Sequence, residues 1–171
     1  WDMTNFTAAA PKTVFTEDGK YLTTLPDDYY ATKTYTDKLI GFIEAGRADG
    51  KPFFAYVSHQ APHDPYHLPQ DWRNRHVGEY DKGWDAVRQE RLKRQIEMGI
   101  VPPGTRLAPK PAAIKDWDTL SADEKRLFAH QAEVFAAFAD HTDHEIGRML
   151  QAFEDVGQAD NTLVFYIAGD N

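Results

Sequence analysis

Apolar residues follow two patterns along the chain. Phe53-Phe54-Ala55-Tyr56-Val57-Ser58 and Thr162-Leu163-Val164-Phe165-Tyr166-Ile167-Ala168 are short, aromatic and β-branched runs with no alternation. Each reads as a strand covered on both faces, as in a parallel sheet. Elsewhere apolar positions recur at spacings of three and four. Tyr35, Leu39, Phe42 and Ile43 predict a helix over 29–46 with that face buried, stopped at Gly46. A helix rich in Arg, Glu and Gln, with a solvated face, is predicted over 83–98. Ser121-Ala122-Asp123-Glu124 is a capping box. From there one long helix, or two with a bend, follows the stripe Leu127, Phe128, Val134, Phe135, Phe138, Ile146, Met149, Leu150 and Phe153 to Val156, and Gly157 ends it.

The intervening segments lack such periods. Residues 1–28 read as a loop-rich arm, with a short hairpin where Asp18-Gly19 separates Val14-Phe15 from Tyr21-Leu22. Pro69 to His76 is expected to start a short helix with Trp72 turned inward, and residues 101–117 form a proline-rich connector. Helix followed by strand, twice over, predicts the α/β class. The expected architecture over 29–171 is part of a mostly parallel central sheet with flanking helices.

Composition narrows the partners more than the fold. The 171 residues, 42% hydrophobic and 13% aromatic, suffice for one packed domain. A net charge of −8 with interleaved signs disfavours nucleic acid and anionic membranes as partners. The apolar runs fall far short of the roughly twenty residues a spanning helix needs. With no Cys, a disulfide framework and a thiolate zinc site are excluded within these residues.

Both predicted strands end in polar clusters. If they run parallel in one sheet, both clusters face the edge where open α/β sheets bind ligands. In Gly169-Asp170-Asn171, a carboxylate beside an amide carbonyl gives two hard oxygen donors suited to Ca²⁺ or Mg²⁺. The same dipeptide also makes an ordinary turn. A Ca²⁺ shell takes about six to eight oxygens, so further donors are expected from sequence beyond these residues. A domain is not expected to finish on a sheet strand at its ligand edge. Residues 1–171 are therefore expected to be an internal segment of a larger catalytic domain, inactive alone and partnered by the remainder of that domain. The other cluster holds His59, His63 and His67 among prolines, with His63 stiffened between Pro62 and Asp64-Pro65. Zinc binding, oxyanion binding with proton transfer to a leaving group, and a plain solvated loop all remain open for it. Asp140, His141, Asp143, His144 and Glu145 read as a solvated, locally paired helix face without chemistry.

Several stretches, in order, resemble the sulfatase family, in particular its bacterial arylsulfatase-like branch. Phe53-Phe54-Ala55-Tyr56 through Ala61-Pro62-His63-Asp64-Pro65 is similar to the family's FF-x-Y…A-P/T-H-x-P strand and loop, followed by His67, Pro69 and Trp72. Lys82-Gly83-Trp84-Asp85 with Arg88 resembles K/Q-G-W-D-x-x-R, and Trp117 to Phe128 resembles W-D-x-L-S-x-D-E-K-R-L-F. His141 to Arg148 resembles H-T-D-x-x-I/V-G-R, and Asp160 to Asn171 resembles D-N-T-L-V…G-D-N.

The resemblance implies an alkaline phosphatase-like sulfatase fold and one divalent cation, Ca²⁺ or alternatively Mg²⁺, with Asp170 and Asn171 among its ligands. It implies that His63 contacts the sulfate of a small-molecule or carbohydrate sulfate ester and protonates the leaving oxygen, and that His67 lines the pocket. It further implies a formylglycine nucleophile made from a C/S-x-P-x-R motif. That motif does not occur in this sequence, so the formylglycine is expected outside the chain. Two other readings remain: a phosphodiesterase or phosphonate hydrolase of the same superfamily, and a non-catalytic binding protein retaining the fold. Asn171 leans against the former, where His typically follows the strand's Asp.

Overall fold

The structure, a computed structural model, describes residues 14–168. The remainder of the arm, residues 1–13, and the predicted ligands Asp170 and Asn171 lie outside the described residues. The chain divides into two compact units: Trp1–His67 with Ala139–Asn171, and Leu68–Phe138.

In the first unit, β1 (Phe15–Glu17) and β2 (Lys20–Leu22) form an antiparallel hairpin with Phe15 opposite Leu22. Asp18 and Gly19 both adopt positive φ, 51° and 74°, as a two-residue type I′ turn requires. Helix α1 (Ala31–Gly46) forms where the spacing predicts it, but its buried face is different. Ala31, Thr32, Thr36 and Ile43 are buried, whereas Phe42 is 61% exposed. Thr36 is tolerated inside because its hydroxyl donates to the Thr32 carbonyl at 3.0 Å. Tyr35, Leu39 and Phe42 instead line an open groove of about 490 Å³ together with Phe53–Ser58.

The only sheet among the described residues is β1–β2. Phe53–Ser58 and Thr162–Ala168 carry no ladder hydrogen bonds there, so the expected parallel sheet is not assembled. Both runs are apolar and bare, with Phe54 92% and Ile167 86% exposed. Composition marks a segment as able to be a strand; a ladder needs a neighbour to accept its hydrogen bonds. Phe53 does find one partner, stacking on Phe153 at 5.7 Å.

The second unit contains α2 (Gly83–Glu97), solvated along most of its length as expected. Pro69–His76 is a series of turns rather than a helix, closed by three-residue bonds such as Trp72 N–H to the Pro69 carbonyl at 3.0 Å. Trp72 is buried as expected. The core here is Trp117, Leu120 and Ala129, with Tyr80, Trp84 and Phe128 against it. The Lys-Gly-Trp-Asp and Trp-Asp stretches are one packing device. Trp84 meets Trp117 edge-on at 4.8 Å, Asp85 accepts the Trp117 N–H at 3.0 Å, and Lys110 bridges Asp85 at 2.9 Å. Arg88 donates to the Ala108 carbonyl at 2.9 Å and so secures the connector.

Helix α3 (Ala122–Asp155) is a single helix of 34 residues. Its capping box forms as read: the Ser121 N–H donates to Glu124 Oε2 at 2.8 Å, and the Glu124 N–H to Ser121 Oγ at 3.2 Å. At the far end, Gly157 has φ of 72° and the Gln158 N–H reaches the Phe153 carbonyl at 2.9 Å, a Schellman stop.

Candidate functional site

The loop 59–67 leaves the Phe53–Ser58 run through two proline-containing turns. The His63 N–H donates to the Gln60 carbonyl at 2.9 Å, and the His67 N–H to the Pro65 carbonyl at 2.9 Å. The His63 side chain is 65% exposed. Its Nδ1 lies 2.6 Å from the Asp64 carbonyl oxygen and 3.2 Å from Asp64 Oδ1. A carbonyl only accepts, so Nδ1 carries a proton. Nε2 is then the ring nitrogen left to meet an anionic oxygen or a departing group.

The loop is tied to α1. Tyr30, the residue preceding that helix, donates its hydroxyl to the His67 carbonyl at 2.9 Å. The Tyr30 ring in turn meets the His141 ring edge-on, with centroids 5.2 Å apart. Burial, opposed by a Thr32 hydrogen bond and reinforced by the Glu145 charge, holds the phenol above its ordinary value. His59, at the loop's other end, has no hydrogen-bond partner on either ring nitrogen among the described residues. Burial favours the neutral ring and pushes His59 below the ordinary histidine value, against the opposing Glu145 charge.

Here the structure corrects the reading of the 140–145 patch. Asp143 and His144 are exposed, but His141, Thr142 and Glu145 are buried. Local pairing is present: Glu145 lies 3.9 Å from His141 Nε2 and accepts from Arg148 Nη1 at 2.5 Å. Arg148 reaches across to Asp37 of α1 at 2.7 Å, and Lys33 pairs with Asp37 at 2.5 Å. Burial works against the Asp37 charge, but the hydrogen bonds from Lys33 and Arg148 outweigh it and hold the carboxyl below its usual range. The buried carboxylate of Glu145 is thus compensated by an Arg that is itself doubly paired.

Tyr30, His141 and Glu145 escape apolar periodicity because they are polar. One signal was available. Ala129, Glu133, Ala137, His141, Glu145, Met149 and Phe153 recur every four residues, and all are buried. Among the described residues no three His, Asp or Glu side chains are grouped to hold a metal. None of the described helices is long and apolar enough to cross a membrane. The expected approach of His63 to Asp170 and Asn171 falls outside the described residues.

Chemically, an exposed imidazole on a proline-framed loop can donate to an anionic oxygen or pass a proton. A sequence model of the Sulfatase family matches residues 1–171, and the chain belongs to that family. It is 31% identical over 161 residues to an arylsulfatase of Klebsiella aerogenes, covering 94% of this chain and 34% of that protein. It is 33% identical over 142 residues to an uncharacterized sulfatase of Schizosaccharomyces pombe, covering 82% of this chain and 26% of that protein. The chain therefore spans about a third or less of the length of these relatives.

Proposed function

We propose that the full-length protein is an arylsulfatase-like sulfuric ester hydrolase acting on small-molecule or carbohydrate sulfate esters, and that these residues form part of its catalytic domain. The observation that carries the reading is the family match along the whole chain, with His63 held ready on its loop. In this reading Phe53–Ser58 and Thr162–Ala168 are strands of a mostly parallel central sheet. Their bare aromatic and aliphatic side chains support this, since such surfaces are seldom left in water.

His63 holds a sulfate oxygen and gives a proton to the departing alcohol or phenol, while His67 lines the pocket. Asp170 and Asn171 are proposed as ligands of Ca²⁺, with Mg²⁺ as the alternative. Their donor chemistry fits a hard cation, whose charge would neutralise sulfate oxygens. A formylglycine supplied from elsewhere in the protein would provide the nucleophile. The test is a comparison of an aryl sulfate with an aryl phosphodiester on the full-length protein. A higher kcat/KM for the sulfate is expected; preference for the diester would move the protein to the phosphodiesterase reading, and turnover of neither to a binding role. For the cation, Asp170→Ala is expected to weaken Ca²⁺ binding by at least about tenfold, because one charged donor leaves the shell. An unchanged calorimetric titration would remove Asp170 from the site.

A further inference from the structure

The hydrogen bond from Tyr30 to the histidine loop lies 37 residues from its partner in sequence and has no place in the activity proposed above. Its acceptor is a main-chain carbonyl, so it fixes the path of the loop rather than the identity of a side chain. We propose that Tyr30 is a positioning residue for the His63 loop: its hydroxyl pins the loop at the His67 carbonyl, and the buried His141 ring holds the phenol in place to do so.

Three observations converge on this. Tyr30 has extended backbone, φ −138° and ψ 116°, immediately before α1, so its ring direction is set by the start of a regular helix. The edge-on contact with His141 comes from α3, whose His141 is buried and sits in the Glu145–Arg148–Asp37 ionic chain. Both anchors of the phenol are therefore rigid elements, as placement of a functional group requires. Within the loop, the bonds from His63 to Gln60 and from His67 to Pro65 span two or three residues. Those local bonds shape each turn but do not fix the loop against the helices. The Tyr30 hydroxyl does. A shift of about 1 Å in a catalytic group can cost on the order of 10²-fold in rate, so a pin four residues from His63 matters.

The kinetic consequence rests on the sulfatase reading; the structural tie does not. Tyr30→Phe removes one oxygen and keeps the ring against His141. In the full-length protein, hydrogen exchange of amides in 59–67 should speed up about five- to tenfold, the worth of one ordinary hydrogen bond, with α1 and α3 unchanged. Turnover should fall more for a sulfate ester of a weakly acidic alcohol than for 4-nitrophenyl sulfate, because His63 assists departure most where the leaving group needs its proton. Unchanged loop exchange overturns the proposal. Faster exchange with equal losses on both substrates overturns positioning, leaving a merely structural bond. Should the unaltered protein hydrolyse no sulfate ester, the sulfatase reading fails instead, and the exchange measurement alone decides whether Tyr30 pins the loop.

Discussion

Changing His63 to Ala in the full-length protein is expected to lower kcat for an aryl sulfate by about 10²–10⁴-fold, the usual worth of general acid–base assistance. Stability should hardly move. The side chain is mostly exposed and, among the described residues, its fixed contact is with the adjacent Asp64, so the change falls among surface substitutions worth within about ±0.5 kcal/mol. Large kinetic loss with an intact fold is the signature of a group that touches the reacting atoms. The dependence on leaving group divides the two roles proposed for it. If His63 gives the proton, the loss grows as the leaving alcohol becomes less acidic. If it only holds a sulfate oxygen, the loss is nearly the same for every ester. Undiminished turnover would remove His63 from the mechanism.

The parts of this protein that could be read from sequence are those decided by neighbours in the chain. The α2 and α3 boundaries, the Ser121–Glu124 cap, the Gly157 stop and the Asp18-Gly19 turn all depend on a few adjacent residues, and all appear where expected. The misread parts depend on distant ones. Tyr35, Leu39 and Phe42 do mark a face of α1, but the buried face runs through Thr32 and Thr36, whose hydroxyls need no distant partner to be satisfied. Glu145 and His141 looked solvated because charge normally is. The buried Glu145 carboxylate is compensated by Arg148, whose guanidinium is in turn held by Asp37, 111 residues away. Prolines and a family motif mark His63 as a candidate in the sequence; nothing there marks the Tyr30 bond, since its partner is a backbone carbonyl that no side-chain pattern records.

The Gly83-Trp84-Asp85 stretch yields the largest expected effect on stability. Gly83 has φ of +80°, and a Cβ built there would lie 2.1 Å from Trp117 Cδ2. Gly83→Ala therefore carries two penalties. A left-handed backbone conformation with a side chain costs about 1–3 kcal/mol. Overpacking adds about 1–3 kcal/mol more if the ring cannot retreat. Trp117 is poorly placed to do so: its backbone N–H is held by Asp85, its ring is met by Trp84, and Leu120 and Ala129 close the cluster. A loss of at least about 3 kcal/mol is expected by equilibrium unfolding of the full-length protein, seen locally as faster hydrogen exchange across 83–120. The two penalties can be separated. In a Trp117→Leu background the clash is largely relieved while the backbone strain persists, so Gly83→Ala should there cost only the conformational part. Equal costs in both backgrounds would mean that the indole never opposed the methyl group. A cost below about 1 kcal/mol in the unaltered background would mean that the glycine is not what permits this packing.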